Sequence, residues 1–182
     1  IRSLQDRFCR NQRFAEHQKK TALKLFDVLQ AEHGIDEGYK FHLQTAAKLS
    51  NIGKALNFYD HDKHGSYFLL NSLHYQFTHT DRLIIALLVE YHTKKIPGNS
   101  RISEVKELLP DLLALQWLSF LLGLSEALNL SHAYPSLSFA YANDTLTIYT
   151  DQELYLAKEA VKKLTKPMPL AIVFQTPHVP SE

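Results

Sequence analysis

Residues 112–124 read LLALQWLSFLLGL and form the most apolar run of the 182-residue chain. Gln116 and Ser119 interrupt this run, which falls short of the ~18 consecutive apolar residues that a membrane-spanning helix requires. We therefore predict a core helix over 110–129, with Pro110 in its first turn. The sequence on either side supplies the elements against which such a helix can pack.

Upstream of this run, apolar residues recur at the three- and four-residue spacing of helices. The predicted helices cover 14–32, 36–51, 64–72, 81–92 and 103–109. Gly34 stands where a left-handed C-cap is expected, Asp36 is a candidate N-cap, and Gly53 ends the second helix. Thr80 or Asp81 is expected to cap the fourth. The second helix is predicted to bury Phe41, Leu43, Ala46, Ala47 and Leu49.

Downstream, the period changes from that of a helix to that of strands. Residues 136–150, SLSFAYANDTLTIYT, alternate apolar and polar side chains on both sides of Asn143-Asp144, which predicts a hairpin. Thr150 and Glu153 have capping-box spacing for a helix that reaches Leu164, and LAIVF at 170–174 can add a third strand. We therefore expect a mainly α chain, with a helical domain over 1–133 and a small α/β subdomain over 134–182 packed on it.

Composition places the chain among globular proteins, with 45% apolar residues. Its 20 Lys and Arg nearly balance 19 Asp and Glu, so the net charge of +1 gives no reason to expect DNA as a partner, and no membrane association is expected. Cys9 is the only cysteine, which suits a cytoplasmic protein. The chain begins at Ile1 without a signal-peptide pattern, so we expect it to be part of a longer protein.

Four of the ten histidines, His17, His61, His64 and His92, fall near predicted helix ends. Histidines and carboxylates on separate helices can converge on a divalent metal, as in helical metallophosphohydrolases. The alternative is that these histidines are hydrogen-bonded residues between helices. Spacing alone favours the second interpretation, because the sequence has no dense ligand motif such as HExxH.

Five blocks in fixed order resemble the C-terminal half of the exopolyphosphatase and guanosine pentaphosphate phosphatase (Ppx/GppA) family, a helical module of the HD superfamily. The blocks are AEHQKKTALKLFDVL at 15–29, AAKLSNIGK at 46–54, HDKHGSYFLLNS at 61–72, LVEYHTKKIP at 88–97 and LGLSEALNLSH at 122–132. They span nearly the whole chain. The fold that the resemblance implies is an HD-like helical domain with a small α/β appendage.

The resemblance also implies that catalysis and accessory binding lie in different parts of the parent protein. In the family, an N-terminal actin-like half of the same chain hydrolyses the phosphoanhydride, with Mg2+ as its expected cofactor, and this chain has no glycine-rich phosphate loop. The implied role here is accessory and non-catalytic: binding polyphosphate or guanosine pentaphosphate, docking on the catalytic half, and forming a homodimer. Which phosphate compound the parent hydrolase prefers, and hence a role in the stringent response, is left open.

The chain departs from the family pattern at the metal-ligand positions. The family's His-Asp pair falls on Ser50 and Asn51, and Asp62, Glu126 and Asn129 replace a histidine and two acids. Arginines of the family fall on Glu90, Gly123 and Leu130, whereas His17, His61, His64 and His92 match. Because serine is a poor ligand and asparagine has no charge, we expect no metal or other cofactor at His17, Ser50, Asn51, His61, His92 and Glu126.

The remaining histidines lie beside lysines, which suggests a groove for anions. The candidate phosphate-binding residues are Lys54, His61, Lys63, His64, His92, Lys94 and Lys95. Phosphate contacts need positive donors within reach and little further geometry, so such a groove can persist without metal ligands. Two alternatives remain: a free-standing HD-type metal-dependent phosphohydrolase, which requires bound metal, and a pure interaction module, which requires an exposed apolar patch.

Overall fold

A computed structural model of the chain describes residues 11–55, 59–73, 76–93 and 107–176. In chain order the elements are α1 (Gln12–Val28), α2 (Gln30–His33), α3 (Lys40–Leu49), α4 (His61–Ser72), α5 (His79–Tyr91), α6 (Leu112–Leu128), β1 (Leu137–Ala142), β2 (Thr145–Thr150), α7 (Tyr155–Lys162) and β3 (Ala171–Gln175). Short 3-10 turns, Glu37–Tyr39 and Ile52–Ala55, precede α3 and α4. The predicted fold, mainly helical with a hairpin, helix and strand appended, is confirmed.

The apolar run at 112–124 forms the centre of the molecule, as predicted. From Ala114 to Leu128 every residue of α6 except Gln116 is buried, and α6 contacts α1, α3, α5 and α7. Asp111 caps the helix by accepting a hydrogen bond from the Ala114 amide at 2.8 Å. Pro110 therefore precedes the cap, and its placement in the first turn was wrong. Across the described residues, no helix combines the length and hydropathy needed to cross a membrane.

The N-terminal helices lie where the sequence predicts them, but their observed ends differ from the predicted ends. The first predicted helix divides at Leu29 into α1 and α2, and Gly34 ends α2 with φ +60° as predicted. Asp36 accepts from the Gly38 amide at 2.8 Å and so caps the 3-10 turn before α3. Phe41 is 39% exposed and stacks on Phe77, so its predicted burial was wrong. It lies in the first turn of α3, where Phe77 and not the core is its neighbour.

The cap of α5 is Thr78 and neither Thr80 nor Asp81. The Thr78 hydroxyl accepts from the Asp81 amide at 3.1 Å, and the Asp81 carboxylate accepts from the Thr78 amide at 2.8 Å. Such a reciprocal box requires the cap to lie three residues before its acidic partner, which places the helix start earlier than predicted. Most of the helix predicted over 103–109 lies outside the described residues.

The C-terminal sheet has the order β1-β2-β3, with β1 antiparallel and β3 parallel to β2. Asn143 and Asp144 have φ of 50° and 54°, which the turn of a tight hairpin requires, and the predicted hairpin is confirmed. The Thr150 hydroxyl bonds to the backbone of Gln152, so the predicted capping box with Glu153 was wrong. α7 connects β2 to β3, which is the crossover that parallel neighbours need.

The sheet packs on the helices through a shared core. The buried apolar cluster runs from α1, α3, α5 and α6 into the sheet, where Leu137, Leu146 and Ile148 belong to it. The Lys24 ammonium of α1 donates to the Leu137 carbonyl of β1 at 2.8 Å. The division of the chain into a helical domain over 1–133 and an α/β subdomain over 134–182 stays a prediction.

Candidate functional site

Two glycines bring together the elements that carry the predicted site residues. A Cβ atom at Gly53 would lie 1.8 Å from the His61 carbonyl oxygen, so only glycine lets the 3-10 turn approach the start of α4. A Cβ atom at Gly123 would lie 2.0 Å from the His92 carbonyl oxygen, where α6 crosses the end of α5. An arginine, as the family pattern has at this position, would clash with the His92 backbone. Glycine at position 123 therefore permits α6 to cross the end of α5 at this short distance.

The end of α5 forms a buried ion pair with α6. His92 Nε2 lies 2.5 Å from Glu126 Oε2, and His92 Nδ1 lies 2.8 Å from the Val89 carbonyl oxygen. A carbonyl and a carboxylate only accept hydrogen bonds, so both ring nitrogens carry protons and His92 is an imidazolium. His92 is 3% exposed and Glu126 is 7% exposed. The Lys54 ammonium lies 3.5 Å from the second carboxylate oxygen of Glu126.

The pKa values of the pair follow from these neighbours. Burial would raise the pKa of Glu126, but the positive charges of His92, Lys54 and His61 outweigh burial and lower that pKa to about 2. Burial would likewise lower the pKa of His92, but the carboxylates of Glu126 and Asp62 outweigh it and raise that pKa from its ordinary value of 6.5. Glu126 is therefore ionised at neutral pH, and its charge favours the protonated form of His92.

His17 belongs to a second cluster, which has no carboxylate in it. Its Nδ1 lies 2.5 Å from Asn129 Oδ1, and the Asn129 amide donates to the Ser125 carbonyl at 2.7 Å and to the Thr21 hydroxyl at 3.3 Å. These donations orient the Asn129 amide so that its oxygen faces His17, and His17 Nδ1 is the donor. Tyr134 contacts the His17 ring edge to face, with centroids 5.5 Å apart.

Ser50 and Asn51 lie at the end of α3, beside α1. Ser50 is 1% exposed, and its hydroxyl is 3.2 Å from Gln18 Oε1 and 3.4 Å from the Ala47 carbonyl. Gln18 is fully buried. The hydroxyl is within hydrogen-bonding distance of groups on both helices and so stabilises the contact between α1 and α3.

The other positions at which the chain departs from the family are scattered around α4 and α6. Asp62 is 4% exposed, in the first turn of α4. Glu90 accepts from the Ser66 hydroxyl at 3.1 Å, which joins α5 to α4. Leu130 is 40% exposed, just beyond α6. These residues stabilise helix contacts or face solvent, and they do not form one pocket with Ser50.

The described side chains are not grouped as ligands for a divalent metal. Within 11–55, 59–73, 76–93 and 107–176, no three His, Cys, Asp or Glu side chains are arranged to hold one. His92 is bonded to Glu126 and to the Val89 carbonyl, and Nδ1 of His17 is bonded to Asn129. That no metal binds at these positions stays a prediction.

The candidate phosphate-binding residues divide by exposure. Four of them, Lys54, His61, Lys63 and His64, lie on the turn before α4 and on its first turn, and we name them the α4 basic face. Lys63 is exposed and lies 3.5 Å from the Asp60 carboxylate. His92 is buried behind this face, where it pairs with Glu126. Lys94 and Lys95 lie outside the described residues.

Sequence reasoning missed three polar residues that bond to Ser50 and Asn129. Gln18 bonds to Ser50, and Thr21 and Ser125 bond to Asn129. Each is a polar residue on the apolar face of a helix, and that placement is a signal in the sequence. Their partners lie as far as 108 residues away in the chain, which no local pattern identifies.

A sequence model of the Ppx/GppA phosphatase family, domain III, matches residues 1–163. The match covers α1 to α7 and the hairpin, and the five blocks and both clusters lie within it. Among curated proteins, no significant match is found.

Proposed function

The chain belongs to the Ppx/GppA phosphatase family as its domain III, and from this membership we propose that it is an accessory, phosphate-binding domain. The α4 basic face is the proposed contact for polyphosphate or for the phosphates of a guanosine nucleotide. Hydrolysis, and the Mg2+ that assists it, belong in this proposal to a catalytic part of the same protein. The parent hydrolase is proposed to act in the cytoplasm.

The observation that carries the proposal is the gathering of four basic side chains at one end of α4. Because Gly53 contacts the His61 backbone, Lys54 is adjacent to the first turn of α4, where Lys63 and His64 follow. Lys54 and Lys63 each have a carboxylate at 3.5 Å, a loose distance that leaves donors available to a second anion. A chain of phosphates can contact several such donors at once.

Electrostatics define the behaviour that this face should show. The whole chain has a net charge of +1, so attraction of a polyanion must come from a local group of charges. Exposed charges are screened over about 8 Å at physiological salt. Binding should therefore weaken steeply as salt is added.

The test compares two lysines in the same local setting. Lys63 pairs with Asp60 at 3.5 Å and Lys162 with Glu159 at 2.6 Å; each carboxylate lies three residues before its lysine, and both lysines are exposed. Lys63→Glu should reduce the affinity of the chain for inorganic polyphosphate at least fivefold, whereas Lys162→Glu should leave it unchanged. Titration calorimetry at two salt concentrations measures both effects. Equal losses from both variants, or binding that does not respond to salt, would contradict the phosphate-binding role.

Interdomain docking or dimer formation is the second candidate function, and the outer side of α4 favours it. Tyr67 is 73% exposed and Leu70 is 37% exposed, and Tyr59, just before the helix, is 80% exposed. Tyr67 lies one turn from Lys63 and Leu70 lies one turn further along. Exposed aromatic residues are enriched at the centres of protein interfaces.

Self-association tests this second candidate. If the outer side of α4 forms a homodimer, Tyr67→Ala should lower the association constant at least tenfold in sedimentation equilibrium, as expected for a central aromatic residue. Tyr155→Ala is the matched control, since Tyr155 is 71% exposed on α7. A monomeric wild-type chain, or equal effects of the two variants, would leave docking on the catalytic part as the remaining role for this surface.

A further inference from the structure

The third strand of the sheet has a free edge, and a groove runs along it. In the part of the chain that the structure describes, β3 pairs with β2 on one side and with no strand on the other. A groove of about 500 Å³ lies between β3 and α7, and no residue of β1 or β2 lines it. The groove therefore opens on the unpaired side of β3, where an edge strand presents backbone N–H and C=O groups to an incoming strand.

The groove has an apolar floor. Ile172 and Phe174 lie on the same face of β3 and form this floor together with Val161 of α7. Both strand residues are only half-buried, so part of their apolar surface is available to a ligand. The Lys158 ammonium lies 5.9 Å from the centroid of the Phe174 ring, at the rim. Since every second side chain of an added strand faces the same way, the floor favours apolar side chains at alternate positions.

The charges on the rim of the groove favour a negative ligand. Three lysines and two glutamates line it, which leaves one positive charge in excess. Two of the lysines pair with the two glutamates. The third, Lys166, has no carboxylate partner within the described ranges, and its ammonium donates to the Leu170 carbonyl at 2.6 Å. Because Leu170 directly precedes β3, the unbalanced cation lies at the N-terminal end of the free edge.

We propose that this groove binds an extended peptide, which adds a strand antiparallel to β3 and places a carboxylate beside Lys166. An antiparallel strand ends where β3 begins, so its last residue reaches the position of Leu170. Main-chain hydrogen bonds to the edge supply affinity, and the side chains over Ile172 and Phe174 supply specificity. The carboxylate comes from an acidic side chain at the last position or from the C-terminus of the peptide. This site is separate from the α4 basic face.

Peptide display on the whole chain tests the predicted preference. A random library with free C-termini should be enriched in peptides with apolar residues at alternate positions and a carboxylate at the end. A selected peptide should bind Lys166→Glu roughly tenfold more weakly than the wild type, as expected for the loss of a hydrogen bond between charged groups. Lys163→Glu is the matched control, because Lys163 is also exposed and also has no carboxylate partner in the described part of the chain, but does not line the groove.

Hydrogen exchange shows where the selected peptide binds. The bound peptide should slow the exchange of backbone amides on the free edge of β3 and leave those of β1 unchanged. Amidating its C-terminus separates the two sources of the carboxylate, since affinity falls only if the terminus itself contacts Lys166. A library without enrichment, equal losses from the two lysine variants, or protection that omits β3 would overturn the proposal.

Discussion

The pair of His92 and Glu126 and the pair of His17 and Asn129 both join a histidine to the C-terminal part of α6, yet their chemistry differs. The first is ionic, with an imidazolium and a carboxylate in a buried setting. The second is neutral, with an amide oriented by Thr21 and Ser125. Glu126 and Asn129 both stand at acids of the family pattern that the resemblance gives, so the chain keeps an acid in the first pair and has an amide in the second.

The difference follows from the charge of the residue that meets each histidine. A buried carboxylate needs a positive charge nearby, and His92 and Lys54 provide it for Glu126. Where asparagine stands in place of an acid, no charge has to be balanced, and hydrogen bonds suffice. The ionic pair should therefore be the more sensitive of the two to the loss of one member.

The largest effect is expected from Glu126→Gln. This change leaves the buried His92 imidazolium without its carboxylate, and breaking a buried pair in this way costs about 3–5 kcal/mol of unfolding free energy. Urea denaturation followed by circular dichroism measures the loss. Glu159→Gln is the matched control, because Glu159 also pairs with a cation but is exposed, and it should leave the urea midpoint unchanged. Similar midpoints for the two variants would contradict a charged buried pair.

The pH dependence of stability should come next in size. The pKa of Glu126 is lowered from 4.5 to about 2, so its contribution, about 3 kcal/mol, is present above pH 4.5 and is lost as the pH falls towards 2. The pKa of His92 is raised, so its contribution is present below pH 6.5 and is lost as the pH rises through its folded value. Charges of Lys54, His61 and Asp62 act on the same pair.

Titration of His92 by NMR checks the pH dependence without any substitution. The imidazole should remain protonated above pH 6.5, and the urea midpoint should fall on both sides of a plateau between pH 4.5 and 6.5. A His92 pKa at or below 6.5 would contradict the ionic description of the pair of His92 and Glu126.

Introducing a His-Asp pair at positions 50 and 51 tests the region around the neutral pair of His17 and Asn129. Ser50→His combined with Asn51→Asp should cost about 1–3 kcal/mol, because an imidazole overfills a site in which Ser50 is 1% exposed. Calorimetry with Mn2+ should show weak binding to the folded double variant and none to the wild type. One equivalent of Mn, Fe, Zn or Ni in wild-type protein purified without chelator would contradict our interpretation of the whole site.

The smallest expected effect isolates one hydrogen bond of the neutral region. Thr21 and Thr45 are both buried helical threonines that donate to the carbonyl four residues earlier, but only Thr21 also accepts from Asn129. Thr21→Val should therefore cost about 1 kcal/mol more than Thr45→Val. Equal costs in urea denaturation would show that the Asn129 amide depends on Ser125 alone.

The sequence predicted most elements because the signals for them are local. The apolar run of α6, the hairpin at Asn143-Asp144 and the left-handed Gly34 each depend on residues within a few positions. Errors occurred where local signals competed: Thr78, Thr80 and Asp81 could each begin α5, and only the reciprocal hydrogen bonds select Thr78. Phe41 has the sequence spacing of the buried face of α3. In the structure it stacks on Phe77 and stays 39% exposed.

By itself, the sequence determined the order and type of the elements, the family, and the absence of a His-Asp ligand pair at Ser50 and Asn51. The tertiary structure alone decided which residues meet: His17 with Asn129, 112 positions apart, and His92 with Glu126, 34 positions apart. The physical reason is that hydrogen bonds and ion pairs act over a few ångströms. A chain brings such partners together only after its helices have packed, and here glycines at 53 and 123 permit the close approach.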